Sequence, residues 1–248
     1  MTGWRLLLTG PGEPGFNMAL DEALALAVRR GWSPPTLRIY RWQSPAISLG
    51  CHQPVSVLQG FVDEAPAALR LGSGQAVAIV RRPTGGGAVA HAEDVSYALA
   101  CGSQPLRGRP SRTLYTQFHA ALGQALAART TGRYVLHTGR TKSVPEQARC
   151  FEQPIADDLM LGLRKVAGAA QRRWRDGLLQ QGTVAAPGCS PDRVALCIRT
   201  AWAEVFRRRF TVDALTAQER VLADELWSHP WTLSSWPPAT PSASNRSR

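Results

Sequence analysis

The sequence predicts a single α+β domain whose mixed, mostly antiparallel sheet is flanked by helices. Short alternating apolar runs follow one another across tight turns, as hairpins do, and helical stretches fall between groups of strands. The regular strand–helix alternation of a doubly wound parallel sheet is absent. With 248 residues, 44% of them hydrophobic, the chain is long enough to bury one well-packed core. The domain is expected over residues 1–232, and the Ser/Pro/Ala-rich residues 233–248 are expected to form a disordered tail.

The Gly/Pro-rich stretch Thr9–Gly15 reads as a loop. Asn17 is expected to cap an alanine- and leucine-rich helix, with Asp21 and Glu22 in early turns where the helix dipole favours carboxylates. Gly31 and the pair Pro34-Pro35 end that helix. Leu37–Trp42 alternates as a strand does, and Ala46–Leu49 reads as another. The apolar run Ala76–Val80 leads through Arg81-Arg82 into the turn Pro83–Gly87, and Val95–Leu99 is expected to return antiparallel to it. Ser111 opens a helix that places Leu114, Phe118, Leu122 and Leu126 on one face, and Arg133–His137 reads as a strand. A polar connection, Thr138–Arg149, delivers Cys150-Phe151-Glu152-Gln153-Pro154. Asp158–Leu161, Lys165–Gln171 and Leu178–Ala185 then read as three strands with tight turns at Gly162 and Asp176-Gly177. Ser190-Pro191 supplies the cap and first-turn proline of an amphipathic helix that buries Val194, Ile198, Trp202 and Val205, and a short helix ends near Trp227.

Composition excludes several functions. No window is long and apolar enough to span a membrane, and the start lacks the basic-then-apolar layout of a secretory signal, so a cytoplasmic protein with no membrane partner is expected. The cysteines (Cys51, Cys101, Cys150, Cys189, Cys197) are odd in number, form no CxxC pair and show no ligand spacing with the five histidines. That argues against a zinc site or a disulfide scaffold, and no metal is expected. The net charge of +11 is carried by arginine, since Lys142 and Lys165 are the two lysines of the chain. A lysine retained in such a sequence is a candidate for a compact point charge in a tight pocket. The basic balance implies an acidic partner, nucleic acid or a small acidic carrier protein. Nucleic acid is the weaker reading, because no basic stripe carries interleaved aromatics and Arg207-Arg208-Arg209 is a short run at a helix end.

Three segments can carry chemistry. The turn Arg82-Pro83-Thr84-Gly85-Gly86-Gly87-Ala88 matches neither a P-loop nor GxGxxG; it is a flexible hairpin turn or a backbone cradle passing close to a ligand. In Gly162–Gln171, small residues at alternate positions leave room for a slender ligand against the sheet; Lys165 shares a face with Ala167 and Ala169, and is either a charge for that ligand or a surface lysine at the turn. Cys150 sits between Arg149 and a Phe-Glu-Gln-Pro loop, an unusual setting for a core cysteine. An ammonium folded beside it, such as Lys165, would favour the thiolate.

Together these segments resemble the lipoate–protein ligase and octanoyltransferase family, part of the biotin/lipoate protein ligase superfamily. The matching pieces are Asn17–Glu22, Leu37–Trp42, Ser48–Gln53, Arg81–His91, Cys150-Phe151, Arg164–Arg173 and Leu179–Thr183, in order over most of residues 4–185. The resemblance implies a biotin/lipoate ligase-like fold whose sheet holds a medium-chain acyl group under the glycine turn. It implies Cys150 and Lys165 as catalytic residues, and Arg82, Thr84, Gly85, Gly86, Gly87, Ala88, His91, Gly168, Ala169, Gly182 and Thr183 as substrate-binding ones. Ala92 stands where the family usually has aspartate, and Gln181 where it commonly has histidine. The triple glycine is the ligase-like form of the turn.

The cysteine and the short chain after residue 185 favour a cysteine-type octanoyltransferase. Such an enzyme takes octanoate from acyl carrier protein as donor and gives it to a lipoyl domain or glycine-cleavage H protein as acceptor, without a cofactor. The alternatives are an ATP-dependent lipoate–protein ligase, for which ATP and magnesium would be needed, and octanoyl transfer between lipoyl-carrier proteins.

Overall fold

The computed structural model describes residues 3–58, 77–139 and 154–227, and the backbone of 232–236. Ala76, Lys142 and Cys150-Phe151, with most of the polar connection before Cys150, lie outside the described residues. In chain order the strands are β1 (Trp4–Gly12), β2 (Thr36–Trp42), β3 (Ala46–Leu49), β4 (Val77–Arg81), β5 (Val89–His91) and β6 (Val95–Gly102). They continue as β7 (Tyr134–Leu136), β8 (Leu159–Leu161), β9 (Arg164–Arg173), β10 (Gly177–Val184), β11 (Phe210–Val212) and β12 (Thr232–Trp236). The helices are α1 (Pro14–Arg29), α2 (Ser111–Ala127), α3 (Pro191–Phe206) and α4 (Ala217–Trp227).

The strands form two sheets, β11-β1-β2-β6-β10-β9-β8-β7 and β12-β4-β3-β5. Pairing is parallel at β11–β1, β1–β2 and β3–β4 and antiparallel elsewhere, so the mixed, mostly antiparallel character holds, divided between two sheets. One face of the large sheet is covered by α2 and α3, where Phe118 stacks on Trp202 at 4.2 Å beneath Tyr97, all fully buried. The other face takes α1, whose Ala25 and Val28 pack on Ala98, Ala100 and Leu179. Met18 of the same helix packs with Tyr40, Trp42, Ala46 and Val80, which puts α1 between the two sheets. It is accordingly buried almost all round, with α4 closing over Leu20 and Leu24 through Ala223. Among the described residues no helix is long and apolar enough to cross a membrane.

Several elements differ from the sequence reading. Residues Trp4–Gly12 form a strand with a bulge between Leu8 and Pro11, where a loop was expected from Thr9. The first helix starts at Pro14, and its cap is Glu13, whose carboxylate accepts the Phe16 N–H at 2.7 Å. Proline at the first helical position has no N–H to satisfy, so the helix opens three residues before Asn17, and Asp21 falls mid-helix. β6 does not return along β4: it lies between β2 and β10 in the large sheet, while β4 belongs to the small one. Every residue of Val95–Cys101 is buried, which suits a central strand covered on both faces. β12 runs from Thr232 to Trp236, four residues into the stretch expected as tail, and pairs with β4. The cap at Ser190, the Leu114/Phe118/Leu122/Leu126 face, the helix end by Gly31 and the tight turn at Gly162 are as expected, and both glycines have positive φ, whereas Val205 is half-buried and Phe206 takes the core position.

Candidate active site

The site lies where α1, the small sheet and the strands β9 and β10 converge. Its base is a buried polar network on α1. Arg38 donates to Asp21 Oδ1 at 2.6 Å and to Asn17 Oδ1 at 2.6 Å, and the Tyr40 hydroxyl donates to Asp21 Oδ2 at 2.9 Å. Burial pushes Asp21 above the usual carboxylate range, against the opposing pull of Arg38 and of hydrogen bonds from Gln181, Arg38 and Tyr40. Gln181 extends this network: its Nε2 donates to Asp21 Oδ2 at 2.7 Å, and its Oε1 accepts the Thr84 hydroxyl at 2.8 Å. The residue that stands in place of the family's histidine therefore ties the glycine turn to the buried ion pair.

The turn itself is not a hairpin, because β4 and β5, which it connects, lie on opposite sides of β3. Arg82 organises it from within. One guanidinium nitrogen donates to the Gly85 and Gly87 carbonyls at 2.7 and 2.8 Å, the other to Ser48 O and Oγ at 2.7 and 2.9 Å. A trans peptide that aims its carbonyl at Arg82 aims its N–H the other way, so the Gly86 N–H points away from the guanidinium. Gly86 has φ +88°, and a Cβ there would stand 3.5 Å from Ala170 Cβ, so the turn crosses directly over β9. A Cβ on Gly50 would stand 2.1 Å from the Gly86 carbonyl, which makes glycine obligatory at 50 as well.

Lys165 is buried. Its ammonium lies 2.7 Å from Asp158 Oδ2, with 1% and 0% of the two side chains exposed. Asp158 is itself held by the Ile155 N–H at 2.7 Å and by the Tyr115 hydroxyl, which also accepts the Ala169 N–H at 3.3 Å. A Cβ on Gly168 would come within 2.6 Å of Lys165 Cε and 2.8 Å of Nζ. The ammonium thus reaches the inner surface of β9 through the gap that Gly168 leaves. Below it sits His119, fully buried, with neither ring nitrogen in hydrogen-bond geometry although the Asp157 backbone is near. Burial first, and the Lys165 charge second, push His119 down to about 3, so the ring is neutral.

His91 completes the opposite wall. It stacks on Trp42 at 4.0 Å, with Nδ1 3.0 Å from Asp94 Oδ2 and Nε2 2.7 Å from Ser48 Oγ. Asp94 also receives the Thr183 hydroxyl and the Ala92 N–H. Burial alone would raise its pKa, but the His91 charge and hydrogen bonds from His91, Thr183 and Ala92 outweigh it and hold Asp94 below the usual range. With alanine at 92, a carboxylate two residues later partners the histidine.

Between these walls is a narrow pocket lined by Met18, Tyr40, Trp42, Arg82, His91, Ser96, Gly168, Ala169, Ala170, Gln181, Gly182 and Thr183. Of the residues expected to bind substrate, Arg82, His91, Gly168, Ala169, Gly182 and Thr183 line it. The others stand elsewhere: Thr84 is buried against Gln181, Gly85–Gly87 form the strap held by Arg82, and Ala88 packs in the core of the small sheet. Lys165 stands behind Gly168, and Cys150 lies outside the described residues. Sequence reading missed Asp158, Tyr115 and Gln181 as members of the site, together with the Asp21–Arg38 pair. A buried lysine needs a carboxylate, and the Asp157-Asp158 pair just before β8 was the signal available for one of them.

A family model described as the lipoyl protein ligase A/B catalytic domain matches residues 13–193. Among curated proteins, the octanoyltransferase LipM of Kyrpidia tusciae is 30% identical over an alignment covering 91% of this chain and 95% of that protein. The octanoyltransferase LipM of Symbiobacterium thermophilum is 39% identical over 74% of this chain, and the match spans 65% of that protein's length. Protein Ta0514 of T. acidophilum, solved with bound lipoic acid, has a TM-score of 0.72 at 21% identity over 92% of this chain and 95% of that one. Lipoate-protein ligase A bound with ATP has a TM-score of 0.70 at 20% identity, covering 93% and 96%. These two structures share the fold. With the family model running from the start of α1 to the start of α3, and a curated member aligned over nine-tenths of the chain, this protein belongs to the lipoyl protein ligase A/B catalytic-domain family.

Proposed function

We propose that the protein is an octanoyltransferase of lipoate biosynthesis, moving octanoate from acyl carrier protein to a lysine of a lipoyl domain or glycine-cleavage H protein through a thioester on Cys150. The observation that carries this reading is the pocket: a floor of Gly168, Ala169, Ala170 and Gly182, side-chain-poor enough for an alkyl chain, lies beside a buried ammonium. The octanoyltransferase names of its relatives give the acyl class.

In this reaction the Cys150 thiolate attacks the donor thioester carbonyl and the carrier thiol leaves. The acceptor amine then attacks the new thioester and takes the acyl group as an amide, releasing Cys150. Thioester exchange is nearly isoenergetic, so no ATP is consumed. Lys165, fixed by Asp158 and Tyr115, supplies positive charge to the carbonyl oxygen as it becomes an oxyanion, and backbone N–H groups of the glycine turn add to it. Ping-pong kinetics are expected, with Cys150→Ala lowering turnover by more than about a hundredfold. Lipoate-dependent release of pyrophosphate from ATP, undiminished in Cys150→Ala, would instead assign the protein to the ligases.

A further inference from the structure

Four arginines and two tryptophans gather where the C-terminal end of α1 meets the turn between β9 and β10. Two guanidinium groups lie over Trp174, Arg29 at 4.2 Å and Arg172 at 5.0 Å from its ring. Arg30 lies 4.6 Å over Trp32, which keeps 49% of its surface in solvent, and Arg175 is exposed at the turn. Two carboxylates accompany them: Asp176 accepts from Arg29 at 2.8 Å, and Glu22 lies 3.7 Å from Arg172. Cations at a helix C-terminus are ordinary and account for Arg29 and Arg30. That effect does not account for Arg172 and Arg175, which come from a hairpin, nor for an exposed tryptophan, a residue type enriched at binding hot spots.

The surface is continuous with the pocket. Arg172 follows Ala170 on the same face of β9, and its Nη1 donates to the Pro83 carbonyl at the start of the glycine turn, 3.3 Å away. We propose that this surface is where the acidic carrier protein bearing the acyl thioester docks. Trp174 lies four residues beyond Ala170, about 13 Å at the rise of a strand. A carrier seated there lays an extended thioester-bearing arm along β9 into the pocket. Attraction between its acidic face and the arginines steers encounter, and Trp32 supplies the desolvated contact. The proposal rests on the acyl-transfer reading above. Nucleic acid carries the same charge, but Glu22 and Asp176 interrupt any basic track that a phosphate backbone would follow.

The test is an Arg30→Glu/Arg175→Glu variant, two positions that do not line the pocket. Binding of fluorescein-labelled octanoyl-acyl carrier protein is followed by anisotropy, and transfer is measured from that carrier and from S-octanoyl-pantetheine. The carrier's Kd and KM are expected to rise about tenfold or more, with kcat and all rates from S-octanoyl-pantetheine within about twofold of wild type. Salt is expected to weaken carrier binding more in the wild type than in the variant. An unchanged carrier Kd overturns the proposal, as does an equal loss with both donors, which would mean a distorted pocket. A loss confined to the acceptor half-reaction, or an oligonucleotide that binds tighter than the carrier, overturns it too. A wild type that binds the carrier yet transfers nothing contradicts the acyl-transfer reading and leaves the docking surface standing.

Discussion

At Gly168 the missing side chain leaves the space that the end of Lys165 fills, directly behind the pocket lining. Gly168→Ala puts a methyl 2.6 Å from Cε and 2.8 Å from Nζ, so the lysine end must shift, and with it the 2.7 Å contact to Asp158. Transfer is expected to fall by about tenfold or more while the melting temperature drops by less than about 5 °C, measured by steady-state kinetics beside a thermal melt. His119 makes a different prediction. Its pKa of about 3 in the fold against 6.5 when exposed means that, between those values, the unfolded chain binds the extra proton. Stability is therefore complete above pH 6.5 and falls as pH drops toward 3, by about 1.4 kcal/mol per unit. Urea unfolding at pH 7 and pH 5 should show His119→Leu losing about 2 kcal/mol less than wild type over that interval. Equal losses would mean that the ring is not the buried neutral group described.

At the scale of elements, the small sheet and the glycine turn act as one clamp. Gly50 closes on the Gly86 carbonyl, Arg82 binds the turn's carbonyls, and Thr84 ties it to β10 through Gln181. Gly50→Ala meets backbone at 2.1 Å and has no soft atom to displace. It is expected to cost about 3 kcal/mol in urea unfolding and to abolish transfer. The elements with local signals were legible in the sequence: the Ser190-Pro191 start of α3, the four-residue spacing of α2, and the β8–β9–β10 turns at Gly162 and Gly177. β1 was not, because Gly10, Pro11 and Gly12 read as a loop, while its partners β2 and β11 are chosen by distant contacts, one of them about two hundred residues away. β6 was read as a strand but given the wrong neighbour, since alternation marks a strand without saying which of two sheets it joins.

For the whole molecule, the family was legible because its motifs fall in order along the chain, and the fold followed from it. The site was legible only in part. Small residues mark the pocket floor and a scarce lysine the charge behind it, but Asp158, Tyr115 and Gln181 are ordinary residues until folding buries them together around Lys165 and Asp21. The arginine excess likewise has no visible stripe in the sequence, and its Arg29–Trp174–Arg172 cluster exists only once α1 and the β9–β10 turn meet. The central claim, an acyl group carried on Cys150, is tested most directly by intact mass after mixing the protein with octanoyl-acyl carrier protein in the absence of ATP. The account predicts an octanoyl adduct on wild type, labile to neutral hydroxylamine and absent from Cys150→Ala. No adduct on wild type, with acyl-adenylate forming once ATP and lipoate are supplied, would contradict it.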